Sequence, residues 1–378
     1  MDTKRIFVLG NGFDLAHYLP TAYVHFMDAM MVVESCEEEK QLGFDDLFQK
    51  YISGECSNRD KDFFTKTREL YKTDDLRLSI DTVNDLQEKL INNGWFQHFK
   101  HHLTDVDTWI DFENEIENSL LSFDFIFNID FNTSTISDNL NSMYPSTEPD
   151  VNIEKILDNE KIFDWRLLNQ TGLKVNYFIN LLKSFGVLKH VYGHITYEVE
   201  NKSGRHLNYV RQESKRLTLK DYEVLEEYRE RRISEHTTQT NIKKSFNNIV
   251  ETKYLSRNST VYTSFNEIEI YNKILKDLEL FSKIFTIYIN LVINQLKPTK
   301  PLDAFGNLKK EIDAVYTFNY SDTFERLYPN SLESQLNQVE VQYIHGSAER
   351  KNIVLGISDF DPCRQIRTVK LGRFNYAA

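Results

Sequence analysis

Short apolar runs in this chain of 378 residues end in residues that can do chemistry. Ile6–Leu9 breaks into Gly10-Asn11-Gly12, Ala314–Phe318 ends at Asn319, Val339–Ile344 ends at His345-Gly346, and Asn352–Leu355 ends at Gly356-Ile357-Ser358-Asp359. A Gly-x-Gly directly after a strand exposes the backbone N–H groups of the following helix, the usual seat of a phosphate. A carboxamide orients water or a hydroxyl without titrating, and an imidazole can accept a proton near neutral pH. Taken together, these types describe a nucleotide-processing site. Taken singly, each is also an ordinary strand-end residue: two glycines for a tight turn, Asn for left-handed geometry, His-Gly for a bend.

The glycine pattern departs from the usual dinucleotide fingerprint. Leu15 stands where a third small residue is wanted. An acidic residue is wanted about 20 positions further on, at the end of a second strand. Glu34 and Glu37 lie near that distance, but Tyr23–Val33 reads as a helix.

The elements that must position these residues are legible in outline. Phe13–Tyr18 is helix-compatible, and Pro20-Thr21 can open a second helix through Tyr23, Phe26 and Met27. Phe44, Leu47, Phe48 and Tyr51 fall at helical spacing, as do Leu86, Leu90 and Ile91. Trp109–Leu120 predicts an amphipathic helix. Its Glu113 and Glu117 could do acid–base work or form the polar edge of a core helix. Lys174–Phe185 reads as helix, the charged run Glu198–Lys244 as solvated helix, and Ile268–Leu296 as a long helix stopped by Pro298.

Strands are thus expected at the two chain ends and helices between. The predicted fold is α/β: a Rossmann-like parallel sheet built from both chain ends, with a large, mostly α-helical insertion. Residues 1–35 and 306–378 would form the split nucleotide-binding core, and 36–305 the helical insert or cap. In such sheets ligands bind beyond the carboxyl ends of the strands, so the strand-end residues would converge on one rim.

Composition narrows the classes. The net charge of −12 disfavours nucleic-acid binding, which needs a basic face. Cys36, Cys56 and Cys363 form no Cys-x-x-Cys, which fits a cytoplasmic protein without a disulfide framework. His98, His101 and His102, and His190 with His194, could offer pairs of metal ligands, but no third ligand is placed, and no metal is expected. No apolar stretch is long enough for a membrane span, and no secretory leader is expected.

Leu9-Gly-Asn-Gly-Phe-Asp-Leu-Ala-His17 with Leu19-Pro-Thr21 resembles the opening signature of the bacterial abortive-infection AbiH family. Phe318-Asn-Tyr-Ser-Asp-Thr-Phe-Glu325 with Leu327-Tyr328, Ile344-His-Gly346 and Val354-Leu-Gly-Ile357 resemble its later blocks, and Trp109–Glu113 a middle one. The resemblance implies phage defence by an intracellular protein, and the partners to weigh are a phage-derived trigger or partner protein and a second copy of the chain as a homo-oligomer. A more distant similarity is to sirtuin-like NAD-binding domains. It implies NAD as substrate or ligand, with Gly10 and Gly12 on the phosphates, Thr317 and Asn319 toward the ribose, and His345 as base or ribose-hydroxyl partner. Asn11, Phe13, Asp14, Tyr320 and Gly346 belong to the same implied binding set, and Asn319 and His345 to the catalytic one.

By this similarity the chain is an NAD glycohydrolase. The alternatives are a silent nucleotide sensor and, less favoured, a nuclease. Ser321 stands where the sirtuin-like pattern has Asp, and zinc-binding cysteines are absent, so deacetylation is not expected. The family pattern continues with a Gly-His-Ser-Leu block past the position where this chain ends, so a short member is expected.

Overall fold

The computed structural model describes residues 5–37, 39–54, 56–101, 109–127, 175–200, 206–211, 239–258, 261–300, 313–328 and 340–355. It divides into two compact units, Met1–Leu121 with Asp277–Ala378, and Ser122–Lys276.

In chain order the strands are β1 (Ile6–Leu9), β2 (Leu42–Gly43), β3 (Arg77–Leu78), β4 (Leu188–Glu200), β5 (His206–Arg211), β6 (Gln239–Val250), β7 (Leu255–Asn258), β8 (Val261–Phe265), β9 (Ala314–Thr317) and β10 (Glu340–Tyr343). The helices are α1 (Asn11–Ala16), α2 (Tyr23–Glu34), α3 (Phe44–Leu47), α4 (Gln49–Ile52), α5 (Asn58–Leu70), α6 (Ile80–Ile91), α7 (Gly94–His101), α8 (Trp109–Phe127), α9 (Val175–Ser184), α10 (Glu267–Tyr288) and α11 (Thr323–Leu327). A π-helical turn, Ile289–Ile293, continues α10.

The first unit carries a parallel sheet in the order β1–β9–β10. Ile6 pairs with Ala314 and Leu9 with Thr317, while Tyr343 meets Thr317 from the other side. The two chain ends therefore share one sheet, and the residues after Leu9, Thr317 and Tyr343 leave it at one rim. Leu9, Val315, Thr317 and Val341 face inward and are buried, whereas Ile6 and Val8 are exposed on the opposite face.

Aromatic packing fixes the helices near that rim. Phe26 of α2 is fully buried and meets Phe281, Phe285 and Tyr288 with ring centroids 5.5, 5.1 and 5.3 Å away. Phe112 of α8 packs on Tyr23, Phe99 and Phe281 at 5.4, 4.5 and 5.5 Å. Edge-on and offset aromatic pairs of this kind contribute about 0.5–1.5 kcal/mol each beyond area burial. They set where Glu113, the next residue on α8, comes to lie.

The second unit contains α9, an antiparallel sheet in the order β5–β4–β6 and the antiparallel pair β7–β8. This corrects one part of the expected helical middle, the charged run: Glu198–Glu200, His206–Arg211 and Gln239–Lys244 are strand, not solvated helix. The reason is visible in Leu188–Glu200, where Val191, Tyr192, Ile195, Thr196, Tyr197 and Val199 favour a pleated surface. Glu226–Ile233, Asn132–Asp150 and Gly356–Asp359 lie outside the described residues. Residues 36–121, read from sequence as part of the insert, cluster with the sheet-bearing unit.

A second correction concerns Asn352–Leu355, which forms no strand. The chain folds back there instead: the Val354 N–H donates to the His345 carbonyl at 2.9 Å, and Asn352 Oδ1 accepts from the Ser347 N–H at 2.9 Å. Among the described residues no helix is long and apolar enough to cross a membrane.

Candidate nucleotide site at the sheet rim

Beyond the ends of β1, β9 and β10 lies a cavity of about 350 Å³, within the first unit. Asn11, Asp14, Thr21, Glu113, Phe285, Ile289, Phe318, Asn319, Tyr320, Ser321 and His345 line it. Five residues of the sequence-predicted site are therefore gathered there: Asn11, Asp14, Tyr320, Asn319 and His345. Gly10, Gly12, Phe13, Thr317 and Gly346 are not among the lining residues.

β1 delivers its strand end through α1. Gly10 precedes this helix in an extended conformation, φ −128° and ψ −177°, and a Cβ at Gly10 or Gly12 would meet no atom within 4 Å. The reading of the two glycines as the requirement of a tight turn is thus corrected: neither is required by packing or by its own backbone. The helix also lies two residues earlier than expected, over Asn11–Ala16 in place of Phe13–Tyr18. It ends at Ala16, with Tyr18 in the left-handed region at φ 57° and the Leu19 N–H returning to the Asp14 carbonyl.

The two motif blocks interlock side chain to side chain. Asp14, 2% exposed, accepts from Asn319 Nδ2 at 2.9 Å through Oδ1 and from Ser321 Oγ at 2.5 Å through Oδ2. His17 Nε2 bonds Tyr328 Oη at 2.5 Å, and Phe13 packs on Phe324 and Tyr328. Burial raises the Asp14 carboxyl to about 6, against hydrogen bonds from Ser321, Thr323 and Asn319 and the charge of Arg326. Burial also lowers the His17 imidazole. Ser321 is the fitting residue beside Asp14, because a second carboxylate there would face the first with no proton between them.

Asn319 is the most constrained member. It is 6% exposed, its N–H donates to Thr317 Oγ1 at 3.0 Å, and its Nδ2 is held by Asp14. Its Oδ1 is buried and accepts from no protein group. Thr317 therefore positions Asn319 and does not line the cavity itself. Asn11 Oδ1 accepts from Thr21 Oγ1 at 2.7 Å, which ties α1 to the segment before α2.

β10 delivers His345. Its ring lies edge-on to Phe318 at 5.3 Å and tilted to Tyr320 at 6.2 Å. Gly346 follows with φ 76°, and a Cβ there would stand 2.0 Å from the Asn352 carbonyl oxygen, so this glycine is obligatory. The loop is tied down by the Ala348 N–H on the Tyr320 carbonyl at 2.9 Å and by Asn290 Nδ2 on the Ala348 carbonyl at 3.0 Å. Asn290 sits in the π-turn, and Ile289 of the same turn lines the cavity. π-turns inside helices recur at functional sites.

Glu113 enters from α8 and shares the cavity with His345; burial raises its carboxyl and the His345 charge lowers it. Sequence reading left its role open, and nothing in its helical spacing tells a cavity edge from a solvent edge. Thr21, Phe318 and Ser321 stood in the motif blocks but were not assigned to the site, and Phe285 and Ile289 were not singled out, since apolar and hydroxyl residues carry no site signal of their own.

Of the candidate metal ligands, His98 is buried and pairs with Glu115 at 2.7 Å, His101 is exposed, and His102 lies outside the described residues, while His190 and His194 lie on a strand and not on a helical turn. Among the described residues no three His, Cys, Asp or Glu are grouped as for a metal ion. In comparison with known proteins, the chain matches no family model, no curated protein and no solved structure.

Proposed function

We propose that the rim cavity binds NAD or a related ribonucleotide and hydrolyses its nicotinamide–ribose bond, with the sheet acting as a reduced Rossmann-like platform. The observation that carries this reading is Asn319 Oδ1, a buried acceptor without a protein partner on the wall that also bears His345. Leaving such an atom unsatisfied costs about 1–3 kcal/mol, so a group that satisfies it there gains binding energy. A ribose hydroxyl or an attacking water supplies the missing donor.

The chemistry follows from the residues present. Breaking the N-glycosidic bond sends its electron pair to the pyridinium ring and leaves oxocarbenium character on the ribose. Water held by Asn319 forms the new C–O bond, and His345 takes the water's proton. Glu113 supplies negative charge near the developing cation. The aromatic lining, Phe285, Phe318 and Tyr320, gives the ring a surface and limits water. Among the described residues no Lys or Arg lines the cavity, and the diphosphate is assigned to the open backbone at Gly10 and Gly12. A role in phage defence rests on the AbiH-like motifs alone.

The test is incubation of the purified protein with NAD, with and without phage lysate as trigger, following nicotinamide release. Wild type should turn over under at least one condition, and His345→Ala should lose at least about 100-fold, the usual share of a general base. Bound NAD recovered intact under every condition would assign the cavity to sensing instead.

A further inference from the structure

The cavity contains an asparagine whose two ends are told apart by a buried carboxylate. We infer that Asp14 is a positioning residue that fixes the polarity of the site: by holding the Asn319 amide nitrogen it turns Oδ1 toward the ligand, so the cavity selects a partner that donates a hydroxyl proton and gains nothing from one that can only accept. This inference rests on the ribonucleotide reading above and specifies which feature of the ribose is read.

An amide side chain offers a donor at one end and an acceptor at the other, and the two ends have nearly the same shape. An ionised carboxylate has only acceptors. With Oδ1 of Asp14 2.9 Å from Asn319, only the NH₂ end can face it. The opposite Asp14 oxygen is occupied by Ser321 Oγ at 2.5 Å, and Ser321 in turn meets Thr323 Oγ1 at 2.8 Å, so Asp14 is held in place from both sides. Asn319 cannot swing away either, because its backbone is pinned to Thr317 Oγ1.

The result is one buried acceptor without a protein partner, carried by a residue that lines the cavity. A carboxamide in place of Asp14 has one donor end and one acceptor end, so it no longer dictates which end of Asn319 faces the ligand. The hydroxyl preference should then disappear while the shape of the cavity is retained.

The probes are NAD and two sets of analogues altered on the nicotinamide-side ribose. In one set either hydroxyl is replaced by hydrogen, and in the other by fluorine, which accepts weakly but cannot donate. Binding is measured by calorimetry for the full-length wild type and for Asp14→Asn. In wild type one deoxy analogue should bind about tenfold more weakly than NAD, and the fluoro analogue at that position no better than the deoxy one. In Asp14→Asn the three should bind within about threefold of one another.

Fluorine restoring wild-type affinity would overturn the inference, and so would Asp14→Asn keeping the tenfold preference. NAD binding without any hydroxyl preference would overturn the inference and leave the ribonucleotide reading standing. No NAD binding at all would overturn both. The fluorine comparison needs only wild type, so it decides the point even if the variant does not fold.

Discussion

Asp14 and His25 are both buried, and burial acts on them with opposite consequences for stability. Asp14 titrates at about 6 in the fold against an ordinary 3.8, chiefly through burial. Between those values the folded state holds a proton that the unfolded chain has released, so this contribution favours the fold as pH falls from about 6 to about 4. His25 lies among Tyr51, Phe63 and Phe64 with no partner for Nδ1, and burial lowers it from 6.5 to about 4. Its contribution is present above pH 6.5 and is lost as pH falls toward 4. Each is on the order of 3 kcal/mol, so in wild type they largely offset one another. Thermal melts from pH 7 to 4 should separate them. Relative to wild type, Asp14→Asn should lose stability on acidification and His25→Phe should gain it. Identical pH profiles for all three proteins would contradict the assignment. The sequence showed Asp14 as part of a motif but not its direction. Only the pairing of β1 with β9 brings residues 14 and 319 together.

The elements carry the site through a few packing contacts. Gly346 is the clearest, because both its φ and the Asn352 carbonyl 2.0 Å from a Cβ exclude any side chain. Gly346→Ala should cost at least about 2 kcal/mol and displace His345, read as a lowered denaturation midpoint together with lost nicotinamide release. An unchanged midpoint would mean that the loop has an alternative path. Phe26→Ala should cost about 3–5 kcal/mol, since it removes the ring that binds α2 to Phe281, Phe285 and Tyr288. β1, β9, β10 and α10 were legible in sequence from apolar runs and helical spacing. Asn352–Leu355 was not, because a short apolar run has the same appearance whether or not a neighbouring strand accepts its hydrogen bonds. β4 and β6 were masked by charged residues, Lys189, Glu198 and Glu200 in β4 and Lys243 and Lys244 in β6, although their β-branched and aromatic content was in plain view.

For the whole molecule, the residues from both chain ends and Trp109–Leu121 of α8 belong to one compact unit, and the cavity lies inside it. The sequence indicated the joining of the ends, but not that residues 36–121 pack with them, since long-range aromatic contacts such as Phe112 on Phe281 leave no local pattern. The net charge of −12 belongs to the same scale. Titration with duplex DNA at low salt should give no complex, and a salt-dependent complex would revive the nuclease reading. The central claim is tested most directly by a crystal structure of the protein soaked with NAD. The account predicts a ribose hydroxyl within about 3.2 Å of Asn319 Oδ1, with the nicotinamide–ribose bond on the His345 side of the cavity. NAD bound elsewhere, or a cavity without it at saturating concentration, would contradict it.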